Sequence, residues 1–420
     1  MKRTISSHVR IPKEGAAIVS EAGRLNVPDQ PLIPFIEGDG IGCDIMPGAR
    51  AVLDAAVKKA YGGRRKIAWV ELFAGEKAHG LYTEYLPGET IENLKSLKVG
   101  IKGPLTTPVC GSIRSLNVAL RHTLDLYACV RPVRYFPGVP SPVLHPERVN
   151  LVLFRENTED VYAGLEWPSG SFEAQWLIKQ LNDKFKIQIR ESSGIGLKPM
   201  SPEASKRLIR KAIQYALDHG RKSVTLVHKG NIMKYTEGAF CHWGYELARE
   251  EFGDSTISEK DLLRQKSEKI PKGKIMLKDR LADNMFQQIL LHPGEYDVIA
   301  APNLNGDYLS DACAGLVGGL GMAPGANIGD EIAVFEATHG TAPDIAGKNI
   351  ANPSSLILSG TMMLEHLGWN EAAACVMGAL EKALREKQVT ADLAQDLGSS
   401  THLSTSEFAR RLENHIVKGE

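Results

Sequence analysis

Two aspartates, Asp307 and Asp311, stand four residues apart in Ala301-Pro-Asn-Leu-Asn-Gly-Asp-Tyr-Leu-Ser-Asp311, directly after the apolar run Tyr296-Asp-Val-Ile-Ala300. Four residues is about one helical turn, so in a helix beginning near Gly306 both carboxylates share a face. A hard divalent cation, which takes carboxylate and water oxygens, would turn their mutual repulsion into affinity. A helix N-terminus, where Asp is favoured by capping and by the dipole, accounts for the same residues without a metal. Upstream, Arg121 lies on a helical pattern with Leu116, Leu120 and Leu124, while Arg131 and Arg155 each close an apolar run where a strand would end. Guanidinium forks match carboxylates bidentately, so these three with Ser115 and Asn117 suit a substrate carrying several carboxylates. Singly, each arginine is more commonly a surface or ion-pair residue.

The whole chain bounds what such a site could serve. Its 420 residues are 43% apolar, with 40 glycines and 22 prolines, enough for one large or two ordinary cores with many connections. Fifty basic residues balance fifty acidic ones, so no global field favours nucleic acid or an anionic membrane, and a small partner is expected. The N-terminal Met1-Lys-Arg-Thr-Ile-Ser-Ser-His8 leads into no apolar core, and no run approaches the ~18 residues of a membrane span. A cytoplasmic protein is the expectation. Cysteines 43, 110, 129, 241, 313 and 375 show no C-x-x-C pair and read as buried or free thiols.

The elements that must position the site alternate between strand and helix, which implies a parallel-rich α/β architecture. Leu32-Ile-Pro-Phe-Ile36 reads as a strand, followed by a glycine loop and a helix to about Ala60. Glycines 38, 40 and 42 are spaced G-x-G-x-G rather than G-x-G-x-x-G, so a tight strand-to-helix turn is expected there. Val99 to Thr107 ends in hydroxyls and contains Lys102, and Ser223-Val-Thr-Leu-Val227 ends in His228-Lys-Gly-Asn231. Between 163 and 200, alternating Phe185, Ile187 and Ile189 predict a half-exposed β-ribbon that must pack on something. Ser201-Pro-Glu opens a helix, and residues 254–274 read as a solvated surface insertion. Asp279 to Leu291 is an amphipathic helix with Asp283 off its apolar stripe. The long loop 337–353 is expected to be functional, with helices at about 354–367, 370–386 and 406–415 beyond it.

Six motifs in order, Ser115-Leu-Asn-Val-Ala-Leu-Arg121, Val130-Arg-Pro132, Phe154-Arg-Glu-Asn157, His228-Lys-Gly-Asn231, Gly306-Asp-Tyr-Leu-Ser-Asp311 and Thr338-His-Gly-Thr-Ala-Pro343, resemble the isocitrate/isopropylmalate dehydrogenases. The likeness runs from about Leu32 to Arg411, and the Ser-x-Asn part is similar to the bacterial dimeric isocitrate dehydrogenases. The resemblance implies that family's fold, two α/β domains with a β-rich clasp and not a Rossmann fold. Its division would be 1–126 with 320–420 (large domain), 127–158 with 201–319 (small domain), and 159–200 (clasp, for dimerisation).

The resemblance further implies oxidative decarboxylation of isocitrate to 2-oxoglutarate and carbon dioxide, a reaction of the tricarboxylic acid cycle. Asp283, Asp307 and Asp311 would hold Mg2+ or Mn2+, with Lys229 and Asp283 given across a homodimer. Arg121, Arg131, Arg155, Ser115 and Asn117 would bind substrate, and Tyr162 and Lys229, assisted by Lys102, would handle protons. Thr106, Asn231, His339, Gly340, Thr341, Ala342, Asp344, Ile345 and Asn352 would line the nicotinamide cofactor. The 2′-phosphate-binding lysine, two tyrosines and arginine of NADP-using relatives are replaced here by Asp344, Ile345, Ala391 and Gln395. A carboxylate beside a 2′-phosphate is repulsive, so NAD is the expected cofactor. Dehydrogenases of 3-isopropylmalate or homoisocitrate, and a non-catalytic regulatory subunit binding citrate or isocitrate, are the alternatives.

Overall fold

A computed structural model describes residues 8–21, 24–106, 115–267, 269–398 and 401–418. These build one eleven-stranded sheet, in the order Thr256–Ser258, Ile275–Leu281, Ser223–His228, Val298–Ala301, Asn150–Glu156, Ala128–Arg134, Pro324–Ile328, Ala333–Ala337, Val99–Lys102, Leu32–Ile36, Ala68–Leu72. The first five strands pair in parallel, as do the last four. Between these wings, Ala128–Arg134 and Pro324–Ile328 run antiparallel to each neighbour. Every residue of Leu32–Ile36, Val99–Lys102, Ser223–His228 and Val298–Ala301 is buried, as expected of strands covered on both faces by crossover helices.

Apolar clusters follow the same division. One gathers Ile33, Ile45, Val52, Phe335, Leu356, Trp369 and Leu412 from both ends of the chain. Two others lie on the opposite wing, one around Phe154, Leu208, Leu226 and Phe240, the other around Leu151, Met285, Ile299 and Leu309. Local signals set the helix starts. Ser201 accepts the Ala204 amide at 3.1 Å ahead of Pro202–Asp218, and Ser171 accepts the Ala174 amide at 3.2 Å ahead of Phe172–Phe185.

Several sequence expectations need correction. The β-ribbon at 185–189 does not form: the Ser171 cap starts a helix that runs through Phe185, and only two-residue strands, Glu166–Trp167 and Ile195–Gly196, pair in this segment. The alternation of Phe185, Ile187 and Ile189 straddles the helix end, where Lys186 turns left-handed with φ 55°. The helix bearing Asp307 starts earlier than Gly306, spanning Asn303–Gly315, so the aspartates sit inside it rather than at its cap. Arg131 lies within its strand, not at the end. Asp279 belongs to a strand and the helix is Ala282–Leu291, while the 254–274 segment supplies the edge strand Thr256–Ser258 and the helix Glu259–Arg264. Thr107 and Cys110 fall outside the described residues.

One close approach fixes the helix over the sheet. A Cβ at Gly306 would stand 2.7 Å from both Cβ and Cγ of Arg155, whereas one at Gly315 on the same helix meets nothing within 4 Å. Gly306→Ala is therefore expected to destabilise the protein by about 1–3 kcal/mol through overpacking. Gly315→Ala should not destabilise it. Urea unfolding checks this, and equal midpoints for Gly306→Ala and the parent would contradict the packing.

Candidate active site

The antiparallel middle of the sheet brings the arginines together. Cys129 pairs with Arg155 and Arg131 with Leu153, so Arg131 and Arg155 are diagonal neighbours on one face. The helix Asn303–Gly315 packs on that face. Arg155, 1% exposed, donates from Nε to Asn303 Oδ1 at 2.9 Å and from Nη1 to Asp307. Arg131 donates to Asp311 Oδ1 at 3.2 Å and to Ser310 Oγ. The Tyr162 hydroxyl donates to Asp307 Oδ2 at 2.7 Å, and the Arg155 guanidinium lies 4.7 Å from the centre of its ring. The short 3-10 turn Asp160–Ala163 that carries Tyr162 is tied to the same helix. Asp160 accepts the Leu304 amide at 3.0 Å, and Asn303 donates to the Glu159 carbonyl at 3.1 Å.

A second anchor lies across the sheet. Glu336 accepts from Arg121 Nη2 at 2.9 Å and from Asn327 Nδ2 at 2.5 Å, and pairs with Lys102 Nζ at 2.5 Å. Asn157 donates in turn to Asn327 Oδ1 and to the Leu126 carbonyl, both at 2.9 Å. Burial pushes the Glu336 carboxyl upward, but the Lys102 and Arg121 cations outweigh it and hold it well below the usual carboxylate range. Burial also raises Asp307, and Arg155 and the Tyr162 hydrogen bond reverse that to a net lowering. Asp311 stays raised, by burial and by the Asp307 charge, against the pull of Arg131. Burial and the bond to Asp307 push Tyr162 up to about 12, so it keeps its proton at neutral pH.

Not all donor capacity is used. Among the described residues, Arg121 Nε, Arg131 Nε, Arg155 Nη2 and Asn117 Oδ1 are buried without hydrogen-bond partners. Such groups are costly unless a ligand satisfies them. Ser115 caps the helix Leu116–Thr123, where its Oγ accepts the Val118 amide at 3.4 Å, so its hydroxyl proton remains available as a donor. Asp307 and Asp311 offer carboxylate oxygens of the kind a hard cation takes, and their present guanidinium partners sit where a divalent ion could compete. Asp283 does not join them within one chain. It pairs instead with Lys229 Nζ at 2.6 Å, its side chain 64% exposed.

The loop of His339, Gly340, Thr341, Ala342, Asp344 and Ile345 packs against the first glycine turn. Ile41 donates to the Thr341 carbonyl at 2.9 Å, and a Cβ at Gly40 would stand 2.1 Å from that oxygen, so the glycine spacing serves this contact. His339 Nε2 is buried without a partner, and burial lowers the ring's pKa. Asn352 is engaged already, donating to Asp392 Oδ2 at 2.9 Å and accepting the Ser354 amide at 3.0 Å. Thr106 donates its amide to the buried Asp39 at 2.7 Å, and Asn231 is exposed beyond Lys229. Sequence reasoning missed Glu336, Asn327 and Asn303. The available signal for Glu336 was a charged residue inside the apolar run Ala333-Val-Phe-Glu-Ala337.

Comparison with known proteins agrees with this geometry. Residues 32–412 match the isocitrate/isopropylmalate dehydrogenase family. The chain is 56% identical to a protein of Archaeoglobus fulgidus named isocitrate dehydrogenase [NADP], over 97% of this chain and 98% of that one. It is 57% identical to the protein of that name from Pseudomonas aeruginosa, covering 95% and 97% respectively. The crystal structure of isocitrate dehydrogenase from Methylococcus capsulatus superimposes with a TM-score of 0.76 at 37% identity, covering 92% of this chain and 99% of that one.

These names overturn the expectation of an NAD-dependent enzyme with NAD-type loop residues. The physical reason lies in the loop. Asp344 is exposed on the 3-10 turn Pro343–Ile345, where solvent screens its charge, and an exposed cation, Lys348, follows it. Ile345 packs against the core instead of facing a ligand freely.

The Glu336 network makes a quantitative expectation. Glu336→Gln leaves Lys102 and Arg121 buried without their anion, and losing one partner of a buried ion pair costs about 3–5 kcal/mol. A carboxylate with a lowered folded-state pKa contributes stability that is present above its unfolded pKa of about 4.3 and is lost as pH falls. The deficit of Glu336→Gln should thus be constant above about pH 5 and shrink in acid. Denaturant titrations across pH check it, and a deficit that grows in acid would contradict the assignment.

Proposed function

The chain belongs to the isocitrate/isopropylmalate dehydrogenase family, and we propose that it oxidises and decarboxylates isocitrate to 2-oxoglutarate and carbon dioxide, passing the hydride to NADP. The observation that carries this reading is the set of buried, incompletely satisfied guanidinium groups facing two carboxylates. Four cations (Lys102, Arg121, Arg131, Arg155) stand against three anions (Glu336, Asp307, Asp311), a net charge of one. A divalent ion would bring the site to three positive charges, matching a tricarboxylate. Isopropylmalate carries one carboxylate fewer, and the names of the relatives also favour isocitrate.

Arg121, Arg131 and Arg155 bind two carboxylates of the substrate, and Ser115 and Asn117 position the third. Asp307 and Asp311 hold Mg2+ or Mn2+, which when bound lowers the pKa of the substrate hydroxyl and polarises the ketone formed from it. Tyr162, protonated at neutral pH, supplies the proton that carbon needs once carbon dioxide has left. Lys229 and Asp283, paired with each other at the surface, are offered to a second copy of the chain in a homodimer. Phe172, Trp176 and Phe185, exposed by 78%, 56% and 68%, give the 159–200 segment the apolar surface that such a partner would cover. The loop from His339 to Asp344, with Asn352, Thr106 and Asn231, lines the dinucleotide, and Lys348 faces its 2′-phosphate. No helix among the described residues is long and apolar enough to cross a membrane.

Initial rates with isocitrate and 3-isopropylmalate, each with NADP and with NAD in saturating Mg2+, test the proposal. Isocitrate with NADP should have the highest specificity constant, and a higher value for isopropylmalate or for NAD would overturn the corresponding assignment. Ser115→Asp should keep the fold, because Asp caps a helix as well as Ser does. It should raise the KM for isocitrate at least tenfold, the equivalent of about 1.4 kcal/mol, with little change in the KM for NADP. An unaltered isocitrate response would place Ser115 outside the pocket.

A further inference from the structure

A cluster the reaction does not use lies where the strand Ser223–His228 ends. Leu226 pairs with Asp279 on the neighbouring strand, so His228, two residues on, points to the same face as Asp279. The helix Glu237–Glu251 crosses that face and presents Cys241 and Tyr245, one turn apart. A ring nitrogen of His228, the Cys241 sulfur and a carboxylate oxygen of Asp279 all lie within 4.8 Å of one another. His228 Nε2 and Asp279 Oδ2 are 3.4 Å apart, long for a hydrogen bond. Zinc binds thiolate at about 2.3 Å and imidazole or carboxylate at about 2.0–2.2 Å, so side-chain shifts of roughly 1 Å would bring all three into its sphere.

We propose that His228, Cys241 and Asp279 form a second cation site, suited to a borderline divalent ion of the zinc class and distinct from the oxygen-donor pair Asp307 and Asp311. One nitrogen, one sulfur and one oxygen donor select such an ion over Mg2+, which prefers oxygen alone. Asp279 is already oriented by the Tyr245 hydroxyl, which donates to its Oδ1 at 2.7 Å. On binding, the Cys241 thiol proton leaves to solvent and the His228 proton moves from Nε2 to Nδ1.

That proton shift has a consequence for the neighbouring turn. In the free protein His228 Nδ1 accepts the Gly230 amide at 3.0 Å. A protonated Nδ1 cannot accept, so the occupied site and this hydrogen bond exclude each other. Gly230 has little freedom to adjust, since even a Cβ there would stand 2.5 Å from Gly238 Cα. Occupation therefore displaces the Lys229–Gly230 turn and opposes catalysis, an effect that rests on the proposed function with Lys229 in the proton-handling role the family resemblance implies.

The full-length protein in excess Mg2+, titrated with Co2+ as probe, tests the site independently of turnover. The expected result is a thiolate-to-cobalt charge-transfer band that saturates at a single ion per chain and is bleached by Zn2+. Cys241→Ser should abolish it, while Cys43→Ser, which removes an exposed thiol, should retain it. Absence of the band, or its survival in Cys241→Ser, would overturn the site. With isocitrate present, Zn2+ should lower turnover several-fold in the parent and leave Cys241→Ser unaffected. A band without loss of turnover would overturn the coupling to Lys229, whereas a protein inactive on isocitrate but showing the band would sink the functional reading and keep the site.

Discussion

Three guanidinium groups held together out of water form the constraint around which the middle of the molecule is arranged. Burial, and then the neighbouring Arg121 and Arg131 charges, lower the pKa of Arg155, the direction expected when like charges share a desolvated place. Such an arrangement persists only if each cation has an anion and the backbone holds both rigidly. Here the anions come from elements distant in sequence. Glu336 sits on the strand beside Lys102, and Asp307 and Asp311 sit on a helix laid across the arginine-bearing strands. The same pairing leaves guanidinium N–H groups without partners among the described residues, and in the proposed function this links a folding constraint to recognition of a polyanion.

Smaller devices support the arrangement. Gly306 allows the helix backbone to approach the Arg155 side chain, and Asp160, in a left-handed conformation with φ 70°, pins the Tyr162 turn onto the first residues of that helix. In the proposed reaction Tyr162 would thereby be a reagent set on a short turn but positioned by regular structure, which reduces the freedom it must lose when substrate arrives.

What could be read from the chain alone depended on whether a residue's role is written in its own neighbourhood. Arg155 follows an apolar run and Asp307 and Asp311 share a helical period, so their shared site was legible, as were the Ser201 cap and the alternation of strand and helix. Glu336, a charge one residue inside its strand end, hinted at burial but not at its partners, because only the sheet order puts it between Lys102 and Arg121. The segment 172–190 misled for the opposite reason. Its two-residue alternation is real, but a serine cap at its start commits most of it to a helix. The cofactor reading failed where local chemistry is weakest, on an exposed loop whose single charges are screened and act together with residues remote in sequence.

The junction between the two parallel wings is narrow. Pro324–Ile328 and Ala128–Arg134 are joined by only three residue pairs, Ala326 with Val130, Asn327 with Cys129 and Ile328 with Ala128. In mechanical terms the middle of the sheet is a plank whose waist is this ladder, the shortest of the three that join the two wings. Torque between the wings would concentrate there, where backbone twist is softer than the packed crossover helices on either side. Asn327, at the centre of the waist, is also the residue through which Glu336 and Asn157 are linked, so bending the plank and loosening the buried charges are one and the same deformation.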